Sequence, residues 1–79
     1  MTLDAFEHEK TARITAVNWA VLAEDEAKRL KALGVDEGAE VAVIHRGIFG
    51  TRDPLAIRIG RMTIALRRSH ALAIEVEPA

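Results

Sequence analysis

Large apolar residues occupy every second position of two segments on either side of Gly60 and Arg61. They are Leu55, Ile57 and Ile59 before this pair, and Met62, Ile64 and Leu66 after it. Such alternation is typical of strands with one buried face, and a glycine that opens a two-residue loop favours a type II′ turn. The loop length places Ile59 opposite Met62, so that all six apolar residues share one face, whereas a one-residue slip would turn them all outward. We therefore predict a β-hairpin between Asp53 and Ser69.

The opposite face of this hairpin is predicted to carry small and basic side chains. Its residues are Ala56, Arg58, Thr63, Ala65 and Arg67. Ala56 would pair with Ala65, although alanine is a poor strand former. Two small residues opposite each other indicate close packing by another element, which is either a helix or terminus of the same molecule or the surface of a partner.

Three further strands are predicted from β-branched residues and alternation. They are Thr11 to Val17, with Ala12, Ile14 and Ala16 on one side; Glu40 to Arg46, containing Val41, Val43 and Ile44; and Ala73 to Glu77, which Pro78 ends. The longest connection runs from Arg46 to Pro54.

One convincing helix is predicted at Glu24 to Leu33, because Ala23, Ala27, Leu30 and Leu33 recur at helical spacing. Gly34 is suited to end it in the left-handed conformation. Two single turns are also predicted. One lies between Leu3 and Phe6 and is capped by Thr2 or Asp4; the other lies at Ser69 to Ala71 and is capped by Ser69.

Five short strands and one helix in 79 residues favour a mainly β fold with one or two short helices. A small, strongly bent antiparallel sheet that closes into a barrel removes most exposed strand edges. We expect one domain over residues 1–79.

Composition adds two expectations. The chain has no cysteine, and its first residues lack a signal peptide pattern, so we expect a soluble cytoplasmic protein that is not inserted in a membrane. Charge is segregated, since residues 41–70 carry six arginines and one acid, whereas residues 1–40 carry nine acids and five bases. The arginines either attract an anionic partner or are balanced by acids from the N-terminal half.

Four segments resemble the FeoA family, in order and at the expected spacing. They are Leu30 to Val41, with its Leu-Gly, spacer and glycine before a strand; Asp53 to Ile59; Ile64 to Ser69; and the tail Ala73 to Glu77. The resemblance implies a small SH3-like barrel and an accessory role in bacterial ferrous iron uptake. Its implied partner is FeoB, a membrane transporter with a cytoplasmic G-protein domain, whose nucleotide hydrolysis or assembly the chain would influence.

No catalytic or cofactor site is predicted. The three histidines, His8, His45 and His70, show no metal-binding spacing, and only His8, with Glu7 and Glu9, is a weak candidate for metal. Gly47 and Gly50 lack the Lys-Ser/Thr of a phosphate-binding loop. We therefore expect no enzyme activity, no cofactor and no bound metal.

Candidate partner-binding residues are apolar or basic side chains in loops and on the hairpin. They are Trp19, Leu22, Ile48, Phe49, Arg52, Arg58 and Arg67. Trp19, Leu22, Ile48 and Phe49 would either complete the core or serve as docking points, and Arg52 could act as an arginine finger on a partner's nucleotide.

Two other functions stay open beside transporter binding. The arginine-rich hairpin could bind nucleic acid or another anionic ligand, although the chain has only three aromatic residues and single-strand binders need a stacking platform. A metal-linked regulatory domain is the other alternative, and homo-oligomer formation is also open. We expect no nucleic acid partner.

Overall fold

The computed structural model describes residues 1–7, 9–46 and 53–79, which form five strands and two short helices. The strands are β1 (Thr11–Val17), β2 (Glu40–Arg46), β3 (Leu55–Ile59), β4 (Met62–Leu66) and β5 (Ile74–Pro78). The helices are α1 (Glu24–Ala32) and α2 (Arg68–Ala71), and single 3₁₀ turns lie at Leu3–Ala5 and Trp19–Val21. The predicted element order is confirmed.

All five strands belong to one antiparallel sheet with the order β4-β3-β2-β1-β5. Strands that follow one another in sequence are neighbours, except that β5 returns to pair with β1. The two edge strands are therefore β4 and β5. This places the β3–β4 hairpin at one end of the strand order and the N-terminal strand near the other end.

The hairpin has the predicted register. Ile59 pairs with Met62, Ile57 with Ile64 and Leu55 with Leu66. Gly60 has φ +58°, as the first central position of a type II′ turn requires. Leu55, Ile57, Ile59 and Leu66 are buried, but Ile64 is half-buried and Met62 is 42% exposed. On β4, burial of the apolar face thus decreases from Leu66 toward the turn.

The core is formed by the inner face of the sheet together with single residues from the connecting segments. Helix α1 contributes Leu30, the loop after it contributes Val35, and the N-terminal 3₁₀ turn contributes Leu3, all fully buried. Helix α1 ends in a Schellman motif, in which the Val35 N–H donates to the Leu30 carbonyl at 2.9 Å and Gly34 has φ +97°. Gly34 therefore ends the helix as predicted.

The buried side of β1 differs from the prediction at its C-terminal end. Ala12 and Ile14 are buried as expected, but Ala16 is exposed and Val17 is buried instead. The cause is a register shift between Ile14 and Ala16 in the pairing of β1 with β5. A bulge of this kind inserts one residue and reverses the alternation beyond it.

The predicted caps of the short turns are wrong. Thr2 precedes the first turn but makes no side-chain cap hydrogen bond, and Asp4 lies inside that turn. Ser69 lies inside α2, whose first turn is bonded instead by Asp53, since the Arg68 N–H donates to Asp53 Oδ1 at 2.8 Å. This hydrogen bond joins the two ends of the hairpin.

The last strand is shifted by one residue from the prediction. It begins at Ile74 and includes Pro78, which pairs with Ala12 of β1. Ile74 and Val76 are buried and Glu75 and Glu77 are exposed, as the alternation predicts.

Candidate partner-binding surface

The outer hairpin face, defined as Ala56, Arg58, Thr63, Ala65 and Arg67, is the side of β3 and β4 that points away from the core. Arg58 pairs with Thr63 and Ala56 pairs with Ala65, while Arg67 continues the alternation in extended backbone just before α2. All but the half-buried Ala56 are exposed. No described helix or terminus covers Ala65, so this end of the alanine pair is open to a partner. The face thus carries a pair of small side chains, with Arg58 on the side of the turn and Arg67 on the side of α2.

Two hairpin arginines have no acidic partner among the described residues. Arg58 and Arg61 are exposed and make no ion pair within that part of the chain. Arg68, by contrast, is paired with an acid of the N-terminal half, since its Nε lies 3.3 Å from Asp4 Oδ2. Balancing by acids therefore holds for Arg68, whereas Arg58 and Arg61 keep a positive charge available to an anionic surface.

Arg67 also acts on an acid, Glu26 of α1, whose pKa it helps to lower. Arg29 donates a hydrogen bond to Glu26 Oε1 from Nε at 2.9 Å, and this bond is the main reason that the pKa of Glu26 is lowered. The charges of Arg29, His70 and Arg67 lower this pKa further, and partial burial opposes them. His70 Nδ1 lies 3.7 Å from the same carboxylate, which brings α2 next to α1. Glu26 thus neutralises part of the charge at this end of the face.

The two predicted docking residues before α1 have different surroundings. Trp19 is half-buried against the core, and Lys31 Nζ lies 4.6 Å from its ring centroid, in cation–π distance. Leu22 is only 9% exposed and belongs to the core. The large apolar side chain that this segment exposes is that of Val21, at 65%.

Val21 shares a groove with another exposed apolar residue, Leu72, which follows α2 and is 51% exposed. The groove has a volume of about 460 Å³, and its floor includes Ala16 and Ala73. Neither Val21 nor Leu72 was expected at a surface site. The signal for Val21 is the turn itself, because three residues per 3₁₀ turn align Trp19 with Leu22 and leave Val21 on another side.

Several predicted residues lie outside the described part of the chain. They are Ile48, Phe49 and Arg52 of the long connection, together with His8. Within the described residues, no group of three or more His, Asp or Glu side chains could hold a metal ion. None of the helices in that same part has the length and apolar composition needed to cross a bilayer.

Comparison with known proteins identifies the family. The model of the FeoA domain matches residues 1–78, nearly the entire chain. The chain belongs to the FeoA family. Its SH3-like fold is also that of solved FeoA structures. Membership of this family links the chain to iron transport.

Two solved FeoA proteins illustrate the similarity. The FeoA protein of Chlorobium tepidum is 27% identical, with a TM-score of 0.83 over 99% of this chain and 70% of its own. The FeoA of Stenotrophomonas maltophilia, solved as a zinc complex, is 33% identical, with a TM-score of 0.78 over 98% of this chain and 89% of its own. That protein is described as a prokaryotic SH3 domain protein and a candidate activating factor of bacterial ferrous iron transport.

The same fold also occurs in a manganese-dependent transcriptional repressor, which is 19% identical with a TM-score of 0.80. This chain covers 41% of that repressor, so the likeness concerns the fold of one part of it. A search of curated protein sequences found no significant match.

Proposed function

We propose that this FeoA chain is a small cytoplasmic accessory protein of bacterial ferrous iron uptake, which docks on the G-protein domain of an FeoB-type transporter through its outer hairpin face. Membership of the FeoA family supports the iron-transport role, and the description of the Stenotrophomonas relative as a candidate activating factor agrees with it. The chain acts by binding and has no catalytic task of its own. Docking modulates either nucleotide hydrolysis by the transporter or its assembly.

The observation that best supports this docking surface is the exposed Arg58 beside the pair of Ala56 and Ala65. Because this exposed guanidinium has no acidic partner among the described residues, no existing ion pair has to be broken when a partner carboxylate binds it. Arginine is enriched at interfaces, where its planar fork binds carboxylates with two hydrogen bonds. The small side chains of Ala56 and Ala65 allow a partner backbone to approach the sheet closely.

The test is a calorimetric titration of the chain into the soluble G-protein domain of its cognate transporter, with and without a GTP analogue. We expect saturable binding that Arg58→Ala weakens by about tenfold, equivalent to the loss of about 1.4 kcal/mol. Lys28→Ala is the control, since Lys28 is also an exposed cation but lies on α1 and pairs with Glu24 at 3.5 Å. Equal binding by the wild-type chain and both variants would contradict the proposed surface.

The unpaired arginines also make binding of nucleic acid the second candidate. Affinity for a polyanion falls steeply with salt, because bound counterions are released. We expect no binding of single-stranded DNA or RNA at 150 mM salt, since the outer hairpin face offers no aromatic side chain for base stacking. Retention of such binding at this salt concentration would favour the second candidate.

A further inference from the structure

The outer edge of β4 exposes backbone hydrogen-bonding groups. In a hairpin with a two-residue loop, the pair that flanks the loop is hydrogen-bonded and the pairs alternate from there. Ile59 and Met62 are this flanking pair, so the N–H and C=O of Thr63 and Ala65 point away from β3. No described residue bonds these groups. Because unbonded backbone groups need water or a partner, the edge is available for pairing.

The other edge of the sheet is covered by the chain itself. The Val76 N–H donates to the Met1 carbonyl at 2.8 Å, and Thr2 forms a bridge with Glu75. Strand β4 has no such cover within the described residues. It also has no charged residue or proline within Met62–Leu66, the devices that proteins use to prevent pairing at an edge.

The apolar face is also incomplete at the turn end of this edge, although Leu66 at the other end of β4 is buried. Met62 is 42% exposed and Ile64 is half-buried, whereas their partners Ile59 and Ile57 on β3 are buried. A strand added beside β4 would place every second side chain on this inner face, next to Met62 and Ile64. Apolar side chains at those positions would complete the apolar layer.

The other side chains of an added strand would lie on the outer hairpin face. On that face lie Arg67, which continues the alternation of β4, and Arg58, which is on β3 and therefore one strand further from the added strand. Arg61, in the turn, adds a third positive charge at one end. Charge complementarity therefore requires acidic side chains at the alternate positions of the added strand.

We propose that β4 binds its partner by strand addition, and that the bound element is an extended segment of the partner in which apolar and acidic residues alternate. The inference rests on the proposed transporter binding and specifies which element of the partner is recognised. Main-chain hydrogen bonds to Thr63 and Ala65 would supply affinity, and the two faces of β4 would select the side-chain pattern.

The test uses a matched pair of substitutions at one position. Thr63→Pro removes the outward N–H and places the ring on the edge, but it leaves the hydrogen bonds to β3 intact, so the fold should be kept. Thr63→Val has the same shape as threonine and retains the N–H. Binding of each variant and of the wild-type chain to the intact, detergent-purified FeoB-type transporter is measured. We expect Thr63→Pro to weaken binding by about tenfold or more and Thr63→Val to leave it within about twofold.

Hydrogen exchange gives a second readout that needs no variant. The amides of Thr63 and Ala65 in the wild-type chain should exchange more slowly in the complex. If the wild-type chain binds while these amides stay unprotected, or if Thr63→Pro binds like the wild type, strand addition is wrong and transporter binding stands. If the wild-type chain does not bind the transporter, both proposals fall. A dimer of the free chain that Thr63→Pro dissociates would show that a second copy occupies the edge, and would also overturn the proposal.

Discussion

Replacement of Ile57 by alanine tests the hairpin register on which the candidate surface depends. Ile57 is fully buried and lies between Val43 of β2 and Ile64 of β4. Because both neighbouring strands hold the side chain in the core, the surrounding residues can close the resulting cavity only in part. Large-to-small substitutions of buried isoleucine cost about 2–5 kcal/mol, and full burial places this site toward the upper half of that range.

Chemical denaturation and thermal unfolding give the magnitude. For a domain of 60–100 residues, 1 kcal/mol lowers the melting temperature by about 4–8 °C, so a loss of about 4 kcal/mol would lower it by about 16–32 °C. Ile57→Val should cost only about 0.5–1.5 kcal/mol. The denaturant m-value should stay unchanged, because the surface exposed on unfolding is nearly the same.

Arg58→Ala is the matched control, since Arg58 is the next residue on the same strand but is exposed. Its cost should stay within about 0.5 kcal/mol, as for other surface substitutions. If Ile57→Ala leaves the melting temperature unchanged, or if Arg58→Ala is the more damaging substitution, the assignment of faces is wrong. The candidate surface would then lie on the other side of the hairpin.

Two further predictions concern α1. Gly34→Ala should destabilise the chain by about 1–2 kcal/mol in a denaturation experiment, because the φ of +97° is strained for an L-residue. The added Cβ would lie 3.6 Å from Ile59 Cδ1, which is an ordinary contact. If the variant is as stable as the wild type, the helix end described above is wrong. Arg29→Ala should raise the pKa of Glu26 toward its ordinary value in an NMR titration, because the hydrogen bond from Arg29 holds it low. A carboxyl group whose pKa is lower in the folded than in the unfolded state stabilises the fold at pH values above the unfolded-state pKa. This stabilisation is lost as the pH falls through the folded-state pKa, so the variant should lose less stability on acidification than the wild type.

Local signals predicted the hairpin and the helix. The turn residue Gly60 and the alternation around Ile57 lie within a few residues of each other, and they agree on one register. The same is true of α1, where Leu30 and Gly34 determine the buried face and the helix end. Such short-range agreement needs no knowledge of the rest of the chain.

The features that the sequence did not reveal depend on distant contacts. Val17 replaces Ala16 in the core because β1 is bulged where it pairs with β5, nearly sixty residues later in the chain. Asp53, not Ser69, bonds the first turn of α2 because the closed hairpin brings its two ends together. Alternation within one strand carries no information about either contact.

The candidate surface was predictable in composition but not in accessibility. The sequence places Arg58 and Arg67 on one face, yet it does not show that Arg58 makes no ion pair within the described part of the chain while Arg67 helps to lower the pKa of Glu26. Met62 looked like a core residue from its alternation, but it lies next to the turn on the edge strand β4, and that end of the strand is the less buried one.

The most direct test of the proposed docking surface is an NMR titration of the ¹⁵N-labelled chain with the soluble G-protein domain of its transporter, in the presence of a GTP analogue. Chemical-shift changes should be concentrated in residues 55–67, with the largest changes at Arg58, Thr63 and Ala65. Changes confined instead to the groove around Val21 and Leu72 would contradict the account, because they would place the partner on the surface that lacks the arginines.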